Sequence, residues 1–385
     1  SICLLLEIGP FAFQSQQIEL FALISVTGLR MTLENGSGKA VADVYSLYSI
    51  IYNGMTGDHA GAYRWSELAL KADLKNNNTY FPRVAFVHTW FHNHWVNPFY
   101  SSLTLALKAA DSGFASGDIL FACFNLSGYV VYLTACGKPL QEVMDFARLH
   151  LSLNNKRVMN AAFHLILELQ FAKALAGITN EYLSLTDEEY IEEKDISSIC
   201  STELSNQVGY CLVARVKLHT HFGKWSDALY WADQVKPLLK AFEGQIAEID
   251  LVQYSAIAAL TGVLKGNYKD QRLIGIATES LNKMQSWAEI CPQNFKHKAL
   301  ILEAFLEGTQ GDLDRAEEIF FQAANLAEAG EFLNDAAQLQ ECRLILQQSK
   351  NKKLTALEPT LMAYEKWGAY GKVAYLQKNY SKVLT

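Results

Sequence analysis

Residues 88 to 95, HTWFHNHW, place three histidines and two tryptophans within eight positions. His88 and His92 are four apart, a spacing that can turn two imidazoles to one side of a helix as zinc ligands. A third ligand is needed, and on a regular helix His94 points elsewhere. No H-E-x-x-H and no carboxylate within the same two turns completes the set. The spacing therefore favours histidines packed at a hairpin corner over a metallohydrolase built on His88 and His92. His219 and His221, in LHTHFG, stand in the same place before a turn and take the same reading.

A second stretch, ENGSGKAV at 34–41, offers Gly38-Lys39 as the end of a phosphate loop. Such a loop needs a glycine five positions before its second glycine, to wrap the phosphates, and Ser or Thr after the lysine, to hold magnesium. Leu33 and Ala40 occupy those places, so the stretch reads as a polar loop between helices. No nucleophile elbow, kinase catalytic loop, pair of inward carboxylates or glycine-rich dinucleotide turn occurs in the chain. The residues thus assign no catalytic group and no cofactor. Aromatic side chains remain as candidates for recognition: Tyr63, Trp65, Trp90, Trp95, Tyr129, Trp225 and Trp231 could line a groove that takes a protein or peptide, with packing between helices as the competing role.

Charge narrows the partners. Lys and Arg total 33 against 40 Asp and Glu, a net charge of −7, and no basic cluster suited to a phosphate backbone is present, which argues against nucleic acid. The densest acidic run, DEEYIEEKD at 187–195, reads as a solvated loop or helix face. Seven cysteines are scattered singly with no C-x-x-C, the usage of a reduced cytoplasmic protein. The apolar opening ICLLLEIGPFAF carries Glu7 and is too short to span a bilayer, so no membrane association is expected. The absence of an initiator Met suggests that Ser1 begins a piece of a longer protein.

The elements that must position these residues announce themselves by repetition. Turn residues recur at Gly57, Asn97, Gly137, Gly177, Gly223, Gly266 and Gly311, at gaps of 40, 40, 40, 46, 43 and 45, and a polar SKNKK follows from Ser349. A period in this range, with apolar segments on both sides of each turn, marks stacked helical hairpins. Offsets of +5, +9 and +12 from three of these turns hold Ala62, Ser66 and Ala69; Ser102, Ala106 and Ala109; and Ala316, Phe320 and Ala323. Offsets four and three apart share one helix face, and mostly small side chains there let a neighbouring helix approach closely. The units from Gly137 and Gly266 fit this register less well, and the unit from Gly177 does not fit it.

First helices are expected at 42–52, 84–95, 120–133, 161–175, 246–264 and 298–306, from broad apolar stripes. No alternating segment argues for a sheet. The expected fold is all-α: a tetratricopeptide-like right-handed superhelix, an α-solenoid of about eight to nine helical hairpins. Its N-terminal repeats would cover 1–176, an irregular acidic connection 177–203, and C-terminal repeats 204–385 in one continuous array. In such an array each repeat is expected to touch only its neighbours.

The chain resembles the helical repeat region of very large bacterial signalling proteins that join a serine/threonine kinase-like domain, an AAA-type ATPase module, these repeats and a C-terminal sensor of histidine-kinase type. The resemblance is carried by residues 19–70, by FHNHWVNP at 91–98, by 112–143, by LHTHFGKWSDAL at 218–229, and by 297–337 and 364–380. In that family the aromatic corner closes a first helix, and Asn93, His94 and Trp95 stand in its place; His88 and His92 are outside the pattern. The family's kinase, ATPase and output motifs are absent from these residues. The resemblance implies a cytoplasmic, non-enzymatic interaction domain that transmits strain between an upstream nucleotide-driven module and a downstream output. Its partner would be a protein, a peptide or its own flanking domains. The alternative is a repeat sensor, within an ATP-dependent transcription activator, that binds a small effector.

Overall fold

The computed structural model describes residues 2–15, 17–36, 38–153, 161, 163–188, 190–191, 205–266 and 270–381. Among them every regular element is a helix. In chain order these are α1 (Ile2–Gln14), α2 (Ile18–Asn35), α3 (Val41–Thr56), α4 (His59–Lys75) and α5 (Phe81–Val87). α5 runs on through a π-helical stretch, His88–Asn93, and a last turn, His94–Val96. Then follow α6 (Tyr100–Ser116), α7 (Ile119–Ala135), α8 (Leu140–Leu153), α9 (Phe163–Ala176), α10 (Ser205–His221) and α11 (Trp225–Val235). A 3₁₀ segment at Lys236–Ala241 leads to α12 (Ile246–Lys265), α13 (Gln271–Ile290), α14 (Pro292–Gln310), α15 (Leu313–Ala329), α16 (Leu333–Ser349), α17 (Leu357–Trp367) and α18 (Tyr370–Asn379). The expected first helices 42–52, 120–133, 246–264 and 298–306 each lie within one of these elements, 84–95 runs from α5 through its π-helical extension into the last turn, and 163–175 of the expected 161–175 lies in α9.

Local chemistry explains the boundaries. Gly57 and Gly311 close α3 and α14 with φ of 66° and 119°, a left-handed conformation that costs glycine nothing. Asp58 and Asp312 follow at once and cap the next helix, accepting from Gly61 N at 2.8 Å and Arg315 N at 3.0 Å. A glycine stop next to an aspartate start is what makes those hairpins tight. All nine residues at the +5, +9 and +12 offsets of the three matching units are buried, with exposures of 1% or less. Small side chains at those places let consecutive helices close on one another.

Two expectations change. The array is not one in which each unit meets only its neighbours. Asn294 at the start of α14 donates to the carbonyls of His94 (2.7 Å) and Asn97 (2.8 Å) and accepts from Phe99 N (2.9 Å), closing onto a corner 200 residues earlier. Trp95 donates to Gly244 O at 3.1 Å, and Trp367 donates to Lys138 O at 3.2 Å. Gly177 and Gly371 touch so closely that a Cβ on Gly177 would stand 2.8 Å from the Gly371 Cα. One apolar core accordingly runs from Val87 to Leu376, across the expected division into two sets of repeats.

The acidic run is not wholly a solvated face. Residues 177–188 and 190–191 carry no helix, as an irregular connection should, yet Leu185 and Tyr190 are buried. Asp187 is bound by Lys173 Nζ at 2.6 Å, with both side chains nearly enclosed. The rest of the run, 189 and 192–195, and the connection up to 204 lie outside the described residues.

Candidate functional site

The corner at 88–95 is a packing centre whose histidines are held apart. The π-helical winding adds a residue to the turn and sends the rings in different directions. His88 Nδ1 meets Ser66 Oγ of α4 at 2.9 Å, His92 Nε2 meets Ser49 Oγ of α3 at 2.9 Å, and His94 Nδ1 meets Tyr132 OH of α7 at 2.7 Å. His88 and His92 therefore do not converge on one point. Among the described residues no group of three or more His, Cys, Asp or Glu could hold a metal. Burial pushes His88 down to about 4 and His94 to about 3, and it holds His92 well below the usual imidazole range, so all three are neutral at pH 7. His221 likewise ends α10 inside the core, against Tyr254, Tyr364 and Trp367.

The seven aromatic candidates separate into two kinds. Trp95 is fully enclosed: its indole stacks on His59 at 4.0 Å and packs edge-on to Trp287 at 5.1 Å. It cannot meet a partner, because the second half of the chain covers it. Trp90 is also buried. Tyr63, Trp65, Tyr129, Trp225 and Trp231 are half-buried, resting on His88, on Tyr45 and Tyr48, on Phe146, on Gly262 and under Arg215 respectively. They form no common surface cluster with one another through these contacts.

Trp90 does line a cavity of about 140 Å³. Its walls are helix faces readable as spacings. α3 contributes Asp43, Leu47 and Ile50; α5 and its extension contribute Arg83, Phe86 and Trp90; α7 contributes Phe121, Phe124 and Ser127. These are steps of three and four residues, one face each. Phe13 of α1 and Phe21 of α2 close one side. His164 of α9 and Gln245, just before α12, close the other. Phe13, Ile50, Phe86 and Phe124 are only half-buried, so this side of the cavity lies near the surface.

The polar groups in this apolar chamber differ in how they are satisfied. Gln245 Oε1 accepts from Trp90 Nε1 at 2.9 Å and from Asn206 Nδ2 at 3.1 Å. Arg83 is bound by Asp118 at 3.1 Å and Glu7 at 2.9 Å while its guanidinium lies 5.1 Å over the Phe121 ring. Asp43, only 4% exposed, has no hydrogen bond or ion pair among the described residues. Burial raises its carboxyl to about 7 despite the pull of Arg83. His164 stands edge-on to Trp90 at 4.9 Å and to Tyr210 at 4.5 Å; its Nε2 is buried with no partner, and burial lowers the ring to about 3.

A second, water-sized cavity of about 20 Å³ lies between α7, α9, α10 and α12, and its charges are paired. Lys217 donates to Asp250 at 2.6 Å, and Glu168 accepts from Thr134 at 2.7 Å. Beyond it, Asp335 accepts from Gln253, His297 and Lys298 at 2.7–2.8 Å. Glu341 accepts from Tyr364 and Lys372, each at 2.5 Å.

Sequence reasoning missed Asp43, Arg83 and His164. A signal existed for the first: a carboxylate at the head of the face Asp43, Leu47, Ile50 in an otherwise apolar stripe.

No family model matches the chain, and no curated protein matches it. One described helix, α12, is long and apolar enough to cross a membrane, but 89% of its most apolar window is buried inside the fold.

Proposed function

We propose that this chain is a tetratricopeptide-like superhelical module, without catalysis of its own, that couples the domains of a larger cytoplasmic signal-transduction kinase or ATPase of the kind its sequence resembles. The observation that carries this reading is the Asn294 clamp on the 94–99 corner, three hydrogen bonds joining units 200 residues apart. A contact of that range ties two distant parts of the array together, so a displacement on one side of the clamp is felt on the other. The buried small-residue register of the three matching units supports the repeat assignment. The partners under this reading are flanking domains, or a protein or peptide on the half-buried aromatics; the net charge of −7 argues against nucleic acid.

The first experiment is a blot of source cells with an antibody to this 43.1 kDa chain. A native band several times larger supports a coupling module. A band near that mass removes the kinase and ATPase reading and leaves a free-standing adaptor.

A second reading, a repeat domain that senses a small effector, is favoured by a specific observation: the 140 Å³ cavity holding an unpartnered carboxyl and an unpartnered imidazole nitrogen.

A further inference from the structure

We propose that the cavity between α1, α3, α5, α7 and α9 binds a small organic ammonium ion carrying about one ring of apolar bulk, with Asp43 as its counter-ion. This inference rests on the effector-sensing reading and names the ligand class.

Size comes first. A cavity near 150 Å³ lined by apolar side chains accepts a benzene-sized molecule, and this one measures about 140 Å³. Phe13, Phe21, Phe86, Trp90, Phe121 and Phe124 are among its walls. Aromatic walls attract cations through the negative face of the ring, an attraction that strengthens when water is excluded.

Charge decides the sign of the ligand. The charged groups at the chamber are Asp43 and Arg83, but Arg83 already has two carboxylates, Glu7 and Asp118, within 3.1 Å. Three acidic groups thus surround one guanidinium, and the carboxyl left over is the buried one. An anionic ligand would meet that excess and find no uncommitted cation. A buried carboxylate without a partner is costly to keep ionised, and a cation seated beside it relieves that cost. An ammonium N–H donates to the Asp43 carboxylate. Gln245 is less available, since Trp90 and Asn206 already donate to its oxygen. At the smaller cavity the charged groups Lys217 and Asp250 satisfy each other, and the buried atoms without a partner there, Tyr210 OH and Asn334 Oδ1, are uncharged.

The test is titration calorimetry and thermal melting of the whole chain with three probes of one shape: benzylamine, toluene and benzoate, at pH 8. Benzylamine is expected to bind saturably and raise the melting temperature, with toluene weaker and benzoate without effect. Asp43→Asn, nearly isosteric and free of the buried charge, should keep the helical circular dichroism and lower benzylamine affinity about ten- to a hundredfold while leaving toluene unchanged. Equal binding of toluene and benzylamine, stronger binding of benzoate, or an Asp43→Asn variant with unchanged benzylamine affinity overturns the ammonium assignment and leaves an effector site of another class. If none of the three probes binds, the effector reading falls together with it.

Discussion

Two cavities among the described residues treat buried charge in opposite ways. Around the smaller one, and on through α14, α16 and α18, each buried carboxylate has a cation or hydroxyl within hydrogen-bond distance: Asp250 with Lys217, Glu168 with Thr134, Asp335 with Lys298, Glu341 with Lys372. At the larger one Asp43 makes no hydrogen bond or ion pair among the described residues, and the nearby Arg83 is bound instead by Glu7 and Asp118. Burial tends to raise both Asp43 and Asp335, yet Lys298 and His297 pull Asp335 well below the ordinary carboxylate range while Asp43 climbs to about 7. Paired charges fix a unique packing of the later helices on the earlier ones. An unpaired one weakens the fold, and under the proposal above a bound cation offsets that cost.

The largest expected effect is acid unfolding. His59 and His88 titrate near 4 and His94 and His164 near 3 in the folded chain, all below the unfolded imidazole value of 6.5. Their stabilising effect is complete above pH 6.5 and is lost as pH falls towards 4, because only the unfolded chain takes up those protons there. Urea unfolding between pH 7 and pH 4 should show a fall larger than that caused by any single substitution below; a flat profile would mean that the aromatic corner is hydrated.

Next is Asp335→Ala, which leaves Lys298 buried without its anion. A loss of about 3–5 kcal/mol in urea unfolding is expected. A loss under about 1 kcal/mol would show that the later half of the molecule does not depend on its pairs, and the contrast between the cavities would collapse.

Asp43→Asn should go the other way. A carboxyl whose folded pKa lies above its unfolded value destabilises the native state increasingly as pH rises from the unfolded value of 3.8 to the folded one of about 7, and fully above it. The variant should therefore gain on the order of 2 kcal/mol at pH 8 over the parent chain, and nothing near pH 4. Destabilisation at pH 8 would reveal a partner for Asp43 within the fold and overturn the proposed counter-ion role.

The smallest effect sharpens the comparison at the surface. Trp231→Leu removes the half-exposed ring under Arg215, 4.3 Å from its guanidinium, and should cost about 0.5–1 kcal/mol by thermal melting. A larger loss would place Trp231 in the core and remove it from the groove candidates.

Much of the fold was legible because helices write themselves locally. A glycine stop beside an aspartate cap, small residues at +5, +9 and +12, and apolar stripes at steps of three and four are properties of neighbours along the chain. They place Ala62, Ser66, Ala69, Ala106 and Ala323 inside without any knowledge of the rest. The candidate site was legible only in fragments. The face Asp43, Leu47, Ile50 can be seen in the sequence, as can Phe121, Phe124 and Ser127, but nothing local brings them to His164 or to Gln245.

Trp95 shows the same limit from the other direction. As a residue at an exposed-looking corner it invites a groove, and it is enclosed because Gly244, Trp287 and Phe295, about 150 to 200 positions later, pack on it. The amino-acid order by itself determined that this protein is helical, where its hairpins turn, and which helix faces are apolar, since these depend on backbone propensity and side-chain period. Tertiary structure alone decided which faces meet and which carboxylates find a cation. Those outcomes depend on how the later helices close over the earlier ones, and no periodicity along the chain encodes a distance between residues 43 and 164.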